Sequence, residues 1–411
     1  MSDASDWAPH GLETVPWRSR SGRGSRADRT LASVDATIPP FIADRVYAGD
    51  PSVQVAQESA IRALAALDAD TGPGAGAISA FLIRTESIAS SKIEHIEATP
   101  EDFARALAGV RANTSATAMV SASRAITRMV TEAGTTGRIT LESMLDAHRT
   151  LLADDPSEAH YAGRVRDMQN WIGGSDFSPI GADHVPPIPE RVLPLLHDLL
   201  AFANRDDIPV IGQAAIAHAQ FESIHPFTDG NGRIGRALIG AIYRRRGMTS
   251  ITTPPIASAL AADQDGYFDL LTEYRRGVAT PIVRELADAT RIAAEEALES
   301  VRVIRALPGE WAAALSPRPG SALAAIVDGL LDTPVFDAES VEARIGRSTS
   351  ATYEALERVE NAGITLRITN RQRNRVWAVT TIIDELGSLD WRIAARARRR
   401  SDPELQALLG A

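Results

Sequence analysis

The chain has 411 residues and a net charge of -10, and 44% of its residues are hydrophobic. This length and composition suffice for two or three folded domains and exclude wholesale disorder. Because the sequence contains no cysteine, it has no disulfide, no zinc–thiolate site and no cysteine nucleophile. The negative charge argues against nucleic-acid binding by the chain as a whole.

Neither a membrane-spanning run nor a secretory signal is evident. No stretch of about 18 apolar residues occurs. The segment Met1–Asp6 lacks the basic and apolar regions of a signal peptide. We therefore expect a cytoplasmic protein that does not contact a membrane.

Apolar spacing predicts a mostly α-helical chain that follows a partly ordered arm. Residues 1–50 are rich in Arg, Ser, Gly and Pro and show little periodicity. After them, apolar residues recur about every 3.6 positions between clear Gly, Pro or Asp stops. The predicted helices are Val53–Asp70, Ala77–Glu97, Glu101–Asn113, Thr117–Gly134, Thr140–Ala153, Pro189–Asn204, Val210–Ser223, Gly232–Gly247, Leu260–Arg276 and Pro281–Ile304.

The helical pattern fails between Gly173 and Pro189, where glycine and proline are frequent. Short extended pieces are expected here, so this segment is predicted to be a small β-hairpin or lid. His184 lies in the lid and is expected to face solvent. His218 is expected to be a hydrogen-bonded core histidine, and no functional role is assigned to the remaining histidines His148, His160 and His197.

The segment His225–Arg236 has the pattern of an anion site. The loop Gly230–Gly232 leads into a predicted helix, whose N-terminus presents free backbone N–H groups and the positive end of the helix dipole. Arg233 and Arg236 are three positions apart, so both guanidinium groups lie on one side of the first turn. The pattern is not a Walker loop, because no Lys-Ser/Thr pair follows the glycines.

Two further side chains of this segment add chemistry to the anion site. Asp229 precedes the loop, where a carboxylate would repel a phosphate unless a cation such as Mg²⁺ lay between them. His225 titrates near neutral pH in its unperturbed state and can accept a hydroxyl proton. Together these residues predict a polyphosphate cradle with a metal ligand and a base, as nucleotide transfer requires.

The C-terminal part is predicted to be a separate module. Leu307–Gly320 contains three prolines and is expected to be a linker. Beyond it, a helix to Ile345, a second helix Ser348–Ala362 and two strands around Asn370–Asn374 are similar to a winged helix-turn-helix. The arginines Arg371, Arg373, Arg375 and Arg396–Arg400 favour DNA contact, whereas the second helix carries the opposing acids Glu354, Glu357 and Glu360.

The segment His225–Arg236 resembles the signature HPFxxGNGRxxR of the Fic family, with every defining position filled. The resemblance implies a Fic helical core with a small β-hairpin flap, and transfer of AMP from ATP to a hydroxyl of a target protein. Gly232 stands where Fic proteins that phosphorylate have lysine, which favours AMP transfer. By position, the implied roles are His225 as general base, Asp229 as Mg²⁺ ligand, Gly230, Asn231 and Gly232 as the α- and β-phosphate cradle, Arg233 at the β-phosphate, Arg236 at the γ-phosphate, and Phe227 as the anchor of the loop.

A second segment resembles the Fic inhibitory motif, S/TxxxE followed by Gly or Asn. Ser90 and Glu94 are four apart and share one helix face. The resemblance implies that Glu94 pairs with Arg236 and thereby holds ATP in an unproductive pose. His95 departs from the motif, because Gly or Asn is usual there.

The resemblance extends to the segment before the lid and implies a docking site for the target. Gly163–Gly173 resembles the Fic region that leads into the flap. In the family, the flap aligns the target backbone by strand addition, and Ser175–Pro187 is the candidate here. Tyr243 and Tyr267 are expected to be packing residues rather than adenine contacts.

Together these patterns predict an autoinhibited protein adenylyltransferase that uses ATP and Mg²⁺ and modifies Ser, Thr or Tyr hydroxyls of target proteins and of itself. Two alternatives remain open. One is a DNA-binding transcriptional regulator with a nucleotide-sensing Fic domain. The other is a bifunctional enzyme in which Glu94 directs water to remove AMP. A homodimer is also left open. The expected domains are an N-terminal arm (1–50), a helical region with the inhibitory helix (51–135), the catalytic core (136–305), the linker (306–320) and the winged helix module (321–411).

Overall fold

The structure of the chain, a computed structural model, describes residues 6–19, 22–71, 75–110, 113–369 and 375–401. These residues are mostly helical, as the apolar spacing predicts. The helices are α1 (Arg26–Thr30), α2 (Pro51–Thr71), α3 (Gly76–Ile93), α4 (Pro100–Leu107), α5 (Thr114–Thr136), α6 (Leu141–Leu152), α7 (Pro189–Ala203), α8 (Val210–Ile224), α9 (Asn231–Arg245), α10 (Ala257–Leu260), α11 (Gln264–Arg275), α12 (Thr280–Leu315), α13 (Ala322–Asp328), α14 (Ala338–Ile345), α15 (Thr349–Asn361) and α16 (Thr380–Ser401). The strands are β1 (Gly11–Pro16), β2 (Ser33–Ile38), β3 (Val335–Asp337), β4 (Thr365–Arg367) and β5 (Val376–Val379).

The chain folds into two compact units, and each unit is assembled from separated segments. The first comprises Met1–Ala60, Arg124–Met248 and Gln264–Asp288, and the second comprises Ile61–Ser123, Thr249–Asp263 and Ala289–Ala411. Because neither unit is contiguous in sequence, the predicted contiguous domain boundaries remain predictions.

The first unit is built around α8, whose residues are all buried. Helices α7 and α9 pack against it, so α8 lies at the centre of a helical layer rather than on its surface. The N-terminal arm contributes more order than predicted: β1 and β2 pair antiparallel in register Gly11↔Ile38 to Pro16↔Ser33. The arm is also anchored to the core of the same unit, because Trp7 Nε1 donates to Tyr274 Oη at 3.2 Å.

The predicted linker is wrong over its first half, because α12 continues through Pro308 to Leu315. A proline inside a helix removes one backbone donor and is unfavourable on its own. Here Leu307, Trp311 and Leu315 are buried at helical spacing, with exposures of 3%, 4% and 7%. The packing of this apolar stripe offsets the effect of the proline and extends the helix.

Three of the predicted helices end earlier, or are interrupted, compared with the ranges that the apolar spacing predicts. The helix expected over Ala77–Glu97 ends at Ile93, and the helix expected to reach Asn113 ends at Leu107, two residues before Gly109 with φ 67°. The helix expected over Leu260–Arg276 is divided into α10 and α11 by a short 3₁₀ turn at Ala261–Asp263. Local backbone geometry at each end, rather than apolar spacing, determines where these helices stop.

The second unit contains α3 and the C-terminal elements. Helix α3 packs against α10 and α16. The C-terminal sheet has the strand order β3-β5-β4, with both pairings antiparallel. Helices α14 and α15 and strands β4 and β5 lie where the sequence predicts them, whereas α13, β3 and α16 were not predicted. Residues 370–374, which include Arg371 and Arg373 of the expected wing, lie outside the described residues. The identity of the module as a winged helix remains a prediction.

Some of the charged side chains of the C-terminal module form internal ion pairs. The expectation that this module binds DNA depends on its arginines. Arg396 donates to Glu296 Oε1 at 3.0 Å and also bonds to Glu295. Glu360 accepts from Arg367 at 3.0 Å and from Trp377 Nε1 at 2.9 Å. These bonds engage Arg396 and Arg367, and DNA contact by the C-terminal module remains a prediction. None of the described helices combines the length and the apolar character that a bilayer crossing requires.

Candidate active site

The predicted anion site lies in the first unit, at the turn between α8 and α9. Helix α8 ends at Ile224. Its C-cap residue, His225, has left-handed backbone angles of φ 47° and ψ 62°, and the N–H of His225 donates to the carbonyl of Phe221 at 2.8 Å. Helix α9 begins after Gly230, which has φ 77°. A Cβ atom on Gly230 would lie 2.7 Å from Leu151 Cδ2, so both the angle and the space require glycine.

Asn231 closes the loop with its side chain rather than pointing it at a ligand. Its Oδ1 accepts from the N–H of Phe227 at 2.8 Å, and its Nδ2 donates to the carbonyl of the same residue at 2.9 Å. The side chain of Phe227 is fully buried, as an anchor requires. The contribution of Asn231 to a phosphate site is therefore the shape of the loop, which directs the backbone N–H groups at the start of α9 outward.

Two guanidinium groups stand on the first turn of α9. Arg233 and Arg236 are 5% and 3% exposed. Arg233 Nη2 donates to Asp229 Oδ2 at 2.8 Å, while its Nε atom is buried without a hydrogen-bond partner among the described residues. A buried donor with no acceptor is unfavourable unless an anion satisfies it. The turn thus joins a helix N-terminus to cationic donors, which is the chemistry of a phosphate site.

The donor set at Asp229 fits Mg²⁺. Its carboxylate is 45% exposed, and no group of three or more His, Asp or Glu residues that could hold a metal exists in the described part of the chain. A cation here would take one protein carboxylate and complete its shell with phosphate oxygens and water. Mg²⁺ is commonly bound in that way at phosphate-transfer sites.

His225 is neutral in this environment. Burial, together with the positive charges of Arg166 and Arg275, lowers its pKa to about 3. Its Nδ1 atom lies 2.9 Å from Asn170 Nδ2 and 3.2 Å from Asn231 Nδ2. Neutral imidazole is the form that a general base requires.

Arg166 is a site residue to which the sequence assigned no individual role. Its side chain is 4% exposed and donates to four backbone carbonyls: His225 at 2.9 Å, Met168 at 3.0 Å, Pro187 at 2.5 Å and Ile224 at 3.4 Å. It therefore ties the end of α8 to the last part of the lid, at Pro187, and to the segment before the lid, at Met168. Its position within the flap-like segment Gly163–Gly173 was the available signal, but most of its carbonyl partners are distant in sequence.

His148 is a second missed residue, since the sequence predicts no role for it. The N–H of Gly163 donates to its Nδ1 at 3.0 Å, so Nε2 carries the proton and donates to the carbonyl of Asp229 at 3.0 Å. Its pKa is lowered to about 4, mainly by burial. His148 thus holds the backbone of the candidate metal ligand. Helical periodicity places it on the buried face of α6 but does not indicate these partners.

The candidate flap has short bridges rather than a regular hairpin. Ile172 pairs with His184, and Ser175 pairs with Ser178. The expectation that His184 faces solvent is wrong: it is 4% exposed, and its Nε2 donates to the carbonyl of Ser223 at 3.0 Å. The imidazole serves to attach the flap to α8. On its other side, Ser178 Oγ donates to Asp28 Oδ1 at 2.6 Å, which ties the flap to the N-terminal arm.

The two tyrosines and His218 behave as packing residues. Tyr243 is fully buried, and Tyr267 is 3% exposed. Tyr267 Oη lies 2.6 Å from His218 Nε2, so this histidine is the hydrogen-bonded core residue that the sequence predicts.

The predicted inhibitory residues lie at the end of α3, in the second unit. Ser90 is buried in the last turn, and Glu94 is the C-cap. His95 has φ 58°. The N–H groups of Ile96 and His95 donate to the carbonyls of Ser91 and Lys92 at 3.0 and 2.9 Å, which is a Schellman motif. A left-handed residue is required at this position, which explains why Gly or Asn is usual there. The inhibitory action of Glu94 remains a prediction.

The Fic/DOC family profile matches residues 138–243 of this chain, the stretch that contains α6, α7, α8 and most of α9. A protein adenylyltransferase Fic of Nematostella vectensis is 31% identical over 169 residues, which cover 40% of this chain and 35% of that protein. Protein adenylyltransferase fic-1 of Caenorhabditis elegans is 37% identical over 120 residues, which cover 28% and 21% of the two chains. The matched part thus spans about a third or less of these curated relatives.

A solved structure extends the likeness in fold beyond the matched segment. The crystal structure of a Fic family protein from Desulfovibrio desulfuricans G20 aligns with a TM-score of 0.53 at 21% sequence identity. The alignment covers 81% of this chain and 97% of that chain. At this identity, the likeness concerns the fold alone.

Proposed function

Because residues 138–243 match the Fic/DOC family profile, we propose that this chain is a protein adenylyltransferase, which transfers AMP from ATP to hydroxyl groups of target proteins and of itself. One observation carries the proposal: the turn between α8 and α9 places a neutral His225 five residues before a helix N-terminus that bears Arg233 and Arg236. The similarity to relatives named protein adenylyltransferase supports this reaction.

The reaction is a displacement at the α-phosphorus of ATP. The hydroxyl oxygen of the target forms a bond to this phosphorus, and the bond to the bridging oxygen of the β-phosphate breaks, so pyrophosphate leaves. The hydroxyl proton passes to His225. The protein forms no covalent bond in this scheme, so its contribution is positioning and the neutralisation of charge.

Different residues contribute to phosphate binding, to the shape of the loop and to the position of the target. The backbone N–H groups after Gly230 and the arginines on α9 bind the phosphate oxygens, and Asn231 preserves the loop that presents them. Mg²⁺, bound through Asp229, would supply positive charge at the phosphates. The flap Ser175–Pro187 would hold the target backbone, and its attachment through His184 and Arg166 would fix its distance from His225.

Autoinhibition is the regulatory part of the proposal. Glu94 would place a carboxylate against the guanidinium of Arg236 and so compete with the γ-phosphate. The resemblance of Ser90–Glu94 to the inhibitory motif supports this role, as does the Schellman motif that explains the residue preference at position 95. The substitution Glu94→Gly is expected to raise the modification rate.

Mass spectrometry of the full chain after incubation with ATP and Mg²⁺ tests both parts. We expect covalent AMP on the wild type, more on Glu94→Gly and none on His225→Ala. His197→Ala, at an exposed position of α7, is the matched histidine control and should equal the wild type. Absence of AMP from both the wild type and Glu94→Gly, with a supplied bacterial lysate as target, would refute AMP transfer. Equal modification of those two chains would refute only the proposed inhibitory role of Glu94.

Removal of AMP is a second candidate, and the hydrogen bonding of His225 favours it. The Nδ1 atom of His225 faces the carboxamide nitrogens of Asn170 and Asn231, which are donors, so Nδ1 accepts. The proton of the neutral ring therefore lies on Nε2, from which it can be donated. Water would attack the α-phosphorus, the bond to the target oxygen would break, this oxygen would take the Nε2 proton, and Glu94 would take a proton from the water. Release of AMP from a modified target by the wild type but not by Glu94→Gly would establish this activity.

A further inference from the structure

A cavity of about 560 Å³ lies beside the candidate flap, in the first unit. Its aromatic walls are Trp17, which follows β1, Trp171, which lies in the segment before the flap, and Phe177, which lies in the flap. The rings of Trp17 and Trp171 meet edge to face, with centroids 5.5 Å apart, and Phe177 is 38% exposed. Both the volume and the aromatic lining are typical of a recognition site.

The charged side chains that line the cavity are mostly acidic. Among the described residues they are Asp167, Asp176, Glu190 and Arg18, and all four are exposed. In the part of the chain that the structure describes, no ion pair within 4.0 Å involves Asp167, Asp176 or Arg18, whereas Glu190 acts electrostatically on Arg166. Three carboxylates against one guanidinium favour a cationic ligand and oppose a phosphate or an acidic peptide.

Two polar atoms of the lining side chains lack a hydrogen-bond partner. Trp17 Nε1 and Gln169 Oε1 are buried, and neither is paired among the described residues. Such atoms are unfavourable unless a bound group satisfies them. A peptide offers both complements, because its carbonyl groups accept and its N–H groups donate. The wall at the flap is fixed before binding, since Trp171 Nε1 donates to the carbonyl of Ser175 at 2.8 Å, and a fixed wall loses little conformational entropy when a ligand binds.

One short segment carries both a wall of the cavity and a contact of the candidate base. Gln169 and Trp171 line the cavity, whereas the Nδ2 atom of Asn170, between them, lies 2.9 Å from His225 Nδ1. An extended peptide rises about 3.3 Å per residue. A target chain along the flap can therefore place one residue in the cavity and another, a few positions away, at His225.

We propose that this cavity binds an arginine side chain of the target protein, a few residues along the chain from the hydroxyl that receives AMP. The guanidinium lies against the indole rings, whose faces attract cations, and pairs with the carboxylates of Asp167 and Asp176. Lysine fits less well, because its compact ammonium is more strongly hydrated and does not stack. This inference rests on the proposed function, since it names the class of target for that reaction.

Binding can be measured without any AMP transfer. The full chain, labelled with ¹⁵N-tryptophan, is titrated in the absence of ATP with capped glycine-based peptides that carry one threonine and one arginine, the arginine placed about two to six positions from the threonine. The indole signals of Trp17 and Trp171 are assigned by their loss in Trp17→Phe and Trp171→Phe. We expect these two signals to shift with arginine peptides and not with peptides that carry alanine or glutamate instead. Equal shifts with all peptides, or no shift with any of them, would overturn the proposal.

AMP transfer to the same peptides provides the second readout, measured in the Glu94→Gly background. The best arginine peptide should exceed the alanine peptide about 10-fold in kcat/KM, as a cation–π contact together with an ion pair allows. Asp167→Asn/Asp176→Asn should reduce this ratio to about twofold, because the ion pairs are lost and the aromatic contact stays. Asp167→Lys/Asp176→Lys should reverse the preference toward the glutamate peptide. The ratio is the informative quantity, because a displaced flap would slow transfer to all peptides alike.

Asp265→Asn/Asp269→Asn is the matched control, because it removes the same charge from exposed positions of α11 in the first unit and should leave the ratio unchanged. A ratio that falls equally in this control would mean that net charge, and not the cavity, selects the peptide, and would overturn the proposal. A lysine peptide that matches the arginine peptide would overturn the choice of arginine. Absence of AMP from every peptide and from the wild-type and Glu94→Gly chains would instead refute the proposed function, and the titration would still decide whether the cavity binds arginine.

Discussion

The imidazole of His148 lies parallel to the ring of Phe227, with ring centroids 3.8 Å apart and an interplanar angle of 7°. The stacking places the two nitrogens of His148 between the N–H of Gly163 and the carbonyl of Asp229. The loop that bears the candidate metal ligand is thus held by an aromatic contact and a backbone bond from a single side chain.

We expect His148→Gln to lower both stability and AMP transfer. A glutamine keeps a polar group but loses the stacked ring, and it cannot reach both backbone partners in the same plane. The unpaired groups should reduce the free energy of unfolding by about 1–3 kcal/mol, and displacement of the loop should lower kcat by roughly 10- to 100-fold. Thermal unfolding and labelled-ATP kinetics measure the two effects. His197→Gln on exposed α7 is the control, and equal behaviour of the two variants would contradict the role of His148.

Gly235 is required by the close approach of α8 and α9. A Cβ atom at this position would overlap the carboxylate of Glu222 and lie 2.9 Å from Phe221 Cδ1. We therefore expect Gly235→Ala to destabilise the chain by about 1–3 kcal/mol, as overpacking does.

Gly309→Ala is the matched comparison for Gly235→Ala. Gly309 also lies within a helix, but a Cβ atom there would meet nothing within 4 Å, so alanine should stabilise by about 1 kcal/mol. Chemical denaturation distinguishes the two signs. A stabilising Gly235→Ala would show that α8 and α9 are farther apart than described.

His95→Gly should stabilise the end of α3. His95 has φ 58°, a conformation that costs a non-glycine residue about 1 kcal/mol, and its side chain is exposed. Glycine should therefore raise the free energy of unfolding by up to about 1 kcal/mol, whereas His95→Val should lower it, because a β-branched residue tolerates this conformation least. Thermal unfolding of the three chains gives the order. Equal midpoints for the glycine and valine variants would contradict the Schellman geometry.

Stability should fall as the pH drops below about 6.5. The pKa values of His218 and His225 are lowered to about 3, and that of His184 lies well below its usual value, in each case mainly through burial. Between pH 6.5 and 3, the unfolded chain binds protons that the folded chain does not, so each such histidine removes up to about 1.4 kcal/mol per pH unit. Urea midpoints at pH 7.5, 6.5 and 5.5 should be similar for the first two and lower for the third. A constant midpoint would show that these histidines are not held neutral.

The anion site could be read from the sequence because its elements are local. The helix start after Gly230, the spacing of Arg233 and Arg236, and the proximity of Asp229 depend on positions within twelve residues. The same holds for α9, whose apolar residues Ile234, Leu238 and Ile242 recur every four positions, as on one face of a helix. The linker prediction was wrong because it relied on a local signal, the proline at position 308, which disfavours a helix. The burial of Leu307, Trp311 and Leu315, which depends on tertiary packing, outweighs that signal.

The sequence by itself determined the helical character of the chain and the phosphate-binding turn, because backbone geometry over a few residues decides both. Only the tertiary structure decided how that turn is held. Arg166, His148 and Asn170 act on it through backbone carbonyls and ring nitrogens 55 or more residues away in sequence. Any residue has a backbone carbonyl, so the partners of such bonds have no signature in the sequence. They become specific only when packing brings the chain segments together.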